Sequence, residues 1–85
     1  MIRITEQEFA SHNIYHGPFG QVFTTERAWF KCGVRLGIVL LDNVDKDWSF
    51  VALEKDQGGV FRAFDVGTSF PTEETATEAL QDEIG

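Results

Sequence analysis

The chain of 85 residues carries a net charge of −7, is 42% hydrophobic and 13% aromatic, and has the size of one globular domain. Seven basic residues against fourteen acidic ones leave too few cations for the phosphates of a nucleic acid or for an anionic membrane surface. A single cysteine, Cys32, excludes an internal disulfide, and no apolar run reads as a signal peptide or reaches the ~20 residues of a membrane span, so a cytoplasmic location is the expectation.

In chain order, "ITEQEFA" opens a short helix. Thr5 can cap it, Glu8 completes a capping box, and Ile4 and Phe9 take the two positions of a hydrophobic staple. "HGPFG" at 16–20 stops it. "TTERAWFK" (24–31) and "VRLGIVLLD" (34–42) are predicted strands joined by a tight turn at Cys32 and Gly33. "DNVDKD" (42–47) is a polar loop. "WSFVALEK" (48–55) and "VFRAFDV" (60–66) are predicted strands on either side of "DQGG". "GTSF" leads into a helix over "PTEETATEALQDEI", with Thr72 as N-cap and Glu73 and Glu74 suiting the first-turn dipole. Ala76, Leu80 and Ile84 fall four apart, and Ala79 joins them, so one helix face is apolar and partly small. Asp82 and Glu83 stand in the last turn, where a cation is preferred. That end either frays or meets an Arg from the sheet or from a partner.

Every strand connection is too short for a parallel crossover. The predicted fold is therefore α+β: one domain, 1–85, with a four-stranded antiparallel β-meander, a C-terminal α-helix packed on one face and a short N-terminal helix. The charge is uneven. Residues 71–85 hold five acids and no base, a net of −5, against −2 for the rest.

The aromatics raise the question of what covers them. With "DQGG" as the loop, Lys55 lies opposite Val60, Leu53 opposite Arg62 and Val51 opposite Phe64. Trp48, Phe50 and Ala52 then share the other face with Phe61, Ala63 and Asp65, so both faces carry large apolar groups. The C-terminal helix covers one. The other needs the N-terminal segment, with Phe9, Tyr15, Phe19 and Phe23, or a second copy of the chain, or a ligand. A homo-oligomer, a dimer first of all, is the expectation. Gly37, placed opposite Ala28, marks a low spot for a large neighbour. Trp29, Trp48, Phe50, Phe61, Arg62, Phe64 and Asp65 are the candidate binding residues.

Catalytic patterns are thin. His12 and His16 are four apart, but the segment breaks at "GPFG" and lacks the glutamate of the zinc-protease motif. Asp42, Asn43, Asp45 and Asp47 share a loop without the glycine and terminal Glu of a calcium loop, and read as strand-capping acids. Cys32 lies beside Lys31 with no base placed next to it. Arg62 and Asp65 read as ion-pairing charges, Arg62 with Glu54 or the acidic helix, Asp65 with Arg35 or Arg27. No metal and no cofactor is expected.

The run "GIVLLDNVDKDWSFVALEKDQGGVFRAFDVGTSFPTEETATEAL" resembles a type of small bacterial protein of unknown function, including those of mobile elements and integron gene cassettes. Its marks are a "GVVL"-like strand, an acidic loop, a "DW" strand, an "FRA-DV" strand and an "S-PT-EEA" helix, over about residues 37–80. The resemblance implies a compact bacterial α+β domain and supplies no activity and no site residues. The resulting expectation is a non-enzymatic, oligomeric binding or adaptor protein for a protein or a small apolar ligand. Two alternatives stand beside it: a small hydrolase or isomerase using a histidine with Asp47 or Asp65 at a subunit interface, and an acidic inhibitor of a basic partner.

Overall fold

The computed structural model describes residues 1–15, 27–42 and 44–85. Its elements are β1 (Ile2–Ile4), α1 (Glu6–Ala10), β2 (Arg27–Cys32), β3 (Arg35–Leu41), β4 (Trp48–Lys55), β5 (Phe61–Phe70) and α2 (Glu73–Ile84). The strands form one antiparallel sheet in sequence order. The class is α+β with a C-terminal and a short N-terminal helix, but the sheet has five strands where four were predicted. The fifth is β1, which pairs Ile2–Ile4 with Lys31–Trp29. Three residues ahead of a helix cap carry too little alternation to be read as a strand.

Two turns set the register, and both differ from expectation. β2 and β3 are joined by Gly33 and Val34, because Gly33 takes the positive φ of +59° that the turn requires. Phe30, not Ala28, therefore lies across from Gly37. At the next hairpin, Asp56 Oδ1 accepts the N–H groups of Gly58 at 2.8 Å and Val60 at 2.9 Å. Val60 is drawn into the turn, and Lys55 pairs with Phe61 instead. Phe61 thus leaves the face of Phe50 and Ala52 for the opposite one. An irregularity between Ala52 and Leu53 then shifts the ladder again, so Val51 meets Val66 rather than Phe64.

Each face has its own cover. On one, α2 seats Ala76, Leu80 and Ile84 against Ala28, Phe30, Val39, Phe50 and Ala52. Thr72 caps this helix reciprocally with Thr75: Thr72 Oγ1 accepts Thr75 N–H at 3.1 Å, and Thr75 Oγ1 accepts Thr72 N–H at 3.2 Å. At the other end Arg35 donates to the Glu83 carbonyl at 2.9 Å, so a sheet arginine does meet the acidic last turn. The low spot at Gly37 is filled from within the chain. A Cβ there would lie 2.6 Å from a methyl carbon of Leu80, which is fully buried. Gly67 has the same role in β5: a Cβ would run into the ring of Phe50, its cross-strand partner. This explains why the strand continues through "GTSF", where a glycine read as its end.

The opposite face buries Leu36, Ile38, Leu40, Val51, Leu53 and Phe61 under Ile4 and Phe9, with Ile14 and Trp29 half-buried beside them. Thr5 caps α1 by accepting Glu8 N–H at 3.1 Å, and Ile4 and Phe9 share the cluster as the staple requires. The first fifteen residues act as a strap. They start on the β1 edge and end at β5, where Phe61 donates to the Asn13 carbonyl at 2.8 Å and Tyr15 donates to the Phe61 carbonyl at 2.9 Å. The strap thus crosses all five strands, about 19 Å at the usual strand spacing. The second face is covered in part by the chain itself, through Phe9 and Ile14. Phe19 and Phe23 lie outside the described residues.

Candidate functional site

β5 is the long edge of the sheet. Its ten residues compare with three in β1 at the other edge. At Phe61 the strap occupies the outer backbone groups. From Arg62 to Phe70 no other strand pairs with its outer side among the described residues. Phe64 is 42% exposed and Val66 54%, large apolar groups on a strand whose interior neighbours are buried. An edge of this kind is a template for another chain unless it is guarded. Two guards are present. The ladder is irregular at two points, and Ser69 takes a φ of +68°. Asp65 also accepts the Val66 N–H at 3.0 Å, so that donor is satisfied locally.

The charges around the edge come from three elements. Arg62 and Asp65 lie across from Glu54 and Ala52, two apart on β4 and so on one face, where opposite faces were expected. Arg62 binds Asp56 at 2.8 Å and stacks over Tyr15 at 4.8 Å. That hydrogen bond, with those of Val60 and Gly58, holds the Asp56 carboxyl below its ordinary value. Arg35 takes Glu54 instead, at 3.3 Å, and its guanidinium lies 5.0 Å from the Phe64 ring centre. Among the described residues Arg35 pairs with Glu54 rather than Asp65, and Asp65 faces Glu83 of α2. The hydrogen bond that a protonated Glu83 donates to the Asp65 carboxylate, then the charge of Asp65, then partial desolvation and Asp82, push the Glu83 carboxyl above its ordinary value against the pull of Arg35.

The candidate binding residues therefore do not form one surface. Phe50 and Phe61 are each 4% exposed and sit in opposite cores. Trp29 packs under the strap, and Trp48 under α2 beside Phe70. Phe50 and Phe61 are core, and Trp29 and Trp48 are half-buried at its margins, because the register divides the four between two covered faces. Arg62, Phe64 and Asp65 remain at the surface, on β5. Val66 and Glu83 belong with them and were missed. The signal for Val66 was available: an apolar residue in the last strand of a meander has only one neighbour to cover it.

The catalytic candidates are not brought together. His12 packs edge-on against Phe61 at 5.1 Å, at the Lys55 end of β4. Asp47 precedes the other end, roughly 23 Å away along eight extended residues. Asp65 lies on the α2 face, away from His12. His16 is outside the described residues. Cys32 is half-buried against the α2 core, with its Sγ where a Cβ on Gly85 would stand. Asp42, Asp45 and Asp47 can bring carboxylate oxygens within 4.8 Å of one another. Asp42 already accepts the N–H groups of Val44 at 2.8 Å and Asp45 at 3.2 Å, the capping role expected of a turn acid. A shallow cleft of about 540 Å³ lies between α2 and the β1–β2 corner, lined by Arg3, Phe30, Thr72, Glu73, Glu74, Thr77 and Glu78. Its walls carry opposite charges and define no single ligand.

No protein family, no curated protein and no solved structure matches the chain. Among the described residues no helix is long and apolar enough to cross a membrane.

Proposed function

We propose that the protein is a non-enzymatic binding or adaptor module of the cytoplasm that docks a polypeptide along β5. One observation carries this reading: a ten-residue edge strand exposes Phe64 and Val66 while its neighbours in the sheet are buried on both faces. Strand addition to such an edge gives affinity through backbone hydrogen bonds and selectivity through alternate side chains.

A homodimer is the second reading of the same edge, with β5 of one copy beside β5 of the other across a two-fold axis. The exposed apolar pair favours it. Light scattering over a range of concentrations, on the wild type and on Val66→Lys and Phe64→Lys, separates the possibilities. A dimer lost in both variants supports the second copy. A monomer throughout leaves β5 to a foreign segment. A dimer that both variants preserve puts the interface elsewhere and removes β5 from the proposal.

A further inference from the structure

We infer that the occupant of the β5 edge is an extended segment of another protein whose side chains alternate between apolar and basic. This rests on the reading of β5 as a docking edge and goes further by giving the partner its chemistry. The mode of attachment is already present in the molecule, since Asn13 and Tyr15 add extended backbone to the same edge at Phe61. A strand laid beyond them places alternate residues on the two faces of the sheet. On the strap face those residues meet Val66, half-exposed and apolar. On the α2 face they meet Phe64, Asp65 and Glu83, with Asp82 next along the helix. Arg35 offsets this group only in part: it lies over Phe64 and draws on Glu83, but it also pairs with Glu54, which leaves one cation among Glu54, Asp65, Asp82 and Glu83. A lysine or arginine there finds an excess of carboxylates, beside an aromatic ring that already takes the Arg35 cation.

The same charges argue against a second copy, which would bring its own Asp65 and Glu83 to the same strand edge, where like charges oppose pairing. A basic residue also has a mechanical effect. It draws the Asp65 carboxylate off the Val66 N–H and so releases a backbone donor for the incoming strand.

The test is an NMR titration with two blocked ten-residue peptides, one alternating valine and lysine, the other valine and glutamate. The lysine peptide is expected to shift and protect the amides from Ala63 to Ser69 and to bind at least about tenfold tighter than its counterpart, a difference of about 1.4 kcal/mol. Asp65→Asn combined with Glu83→Gln is expected to erase most of that preference while leaving the spectrum folded. Val66→Lys, which leaves the carboxylates in place, is expected to weaken the lysine peptide through its apolar face. Equal affinity for the two peptides overturns the inference. So do shifts confined to Glu73, Glu74 and Glu78, which would report nonspecific attraction to an acidic helix. A concentration-dependent dimer that protects β5 replaces the proposed occupant and leaves the docking edge standing. No response at β5 to peptide or to concentration sinks both.

Discussion

The two faces of the sheet are covered by different means. Under α2 the contact residues are small, with Ala28, Ala52, Ala76 and the two glycine seats, and a few large groups are set directly onto backbone. Under the strap the sheet offers Leu36, Ile38, Leu40, Val51 and Leu53, and α1 has only five residues to lay over them. A long helix can come close when the sheet beneath it is low. A short strap cannot span the same area, so the sheet side chains supply the bulk themselves. The lesson is that the size of side chains on a face reflects the length of the element above it.

Cavity formation gives the strongest test of that contrast. Leu80→Ala empties a seat walled by sheet backbone and a twelve-residue helix, neither free to settle. It is expected in the upper half of the ~2–5 kcal/mol seen for such changes. Phe9→Ala removes more atoms, but the short α1 can close in. It is expected near the low end of the ~3–5 kcal/mol for phenylalanine. Urea denaturation gives both values; Phe9→Ala costing clearly more than Leu80→Ala would break the contrast.

Overpacking tests the same seats from the other side. Gly67→Ala drives a methyl group into the Phe50 ring and is expected to cost ~1–3 kcal/mol, and Gly37→Ala, whose Cβ meets both methyl carbons of the fully buried Leu80, is expected in the same range. Phe50→Leu added to Gly67→Ala is expected to recover part of the loss. Additive costs in the double variant would mean that the two residues do not share a seat.

How much of this the amino-acid sequence disclosed depends on whether local chemistry or counting was needed. The bounds of β4 and the Thr72 cap follow from residues that act on their immediate neighbours. Which aromatics share a face does not, since it depends on whether a turn begins at Cys32 or Gly33 and whether Val60 belongs to a strand. One residue of error in a turn sends a side chain to the other side of the sheet. That is why Phe50 and Phe61 were expected together and are found apart. Gly67 misled for a related reason: its role is set by a ring seventeen positions earlier. Phe64 and Asp65 could be singled out beforehand, yet the reason they stand at the surface, an irregular edge strand beside α2, belongs to the assembled sheet.

The smallest expected effects are in pH. The Glu83 carboxyl is raised on folding, so it takes up protons as the chain folds. Its contribution favours the folded state below the ordinary glutamate value of 4.5 and is lost as pH rises through the raised folded value. Asp56 is lowered and works in the opposite sense. Its contribution is present above 3.8 and is lost as pH falls through the folded value. Thermal midpoints across mildly acidic pH are expected to shift in opposite directions in Glu83→Gln and Asp56→Asn. Shifts of the same sign would mean that the carboxylates do not sit beside the neighbours described for them.

The strap has a consequence for the life of the chain before it is a structure. Ile14 leaves the ribosome forty-seven residues ahead of Phe61, the residue it bridges. At roughly 5–20 residues per second, that is a wait of about 2–10 s with its apolar side chains uncovered. This segment is thus synthesised before the strand that holds its far end, and a chaperone that shields nascent chains would meet Ile4, Phe9 and Ile14 before the complete sheet does.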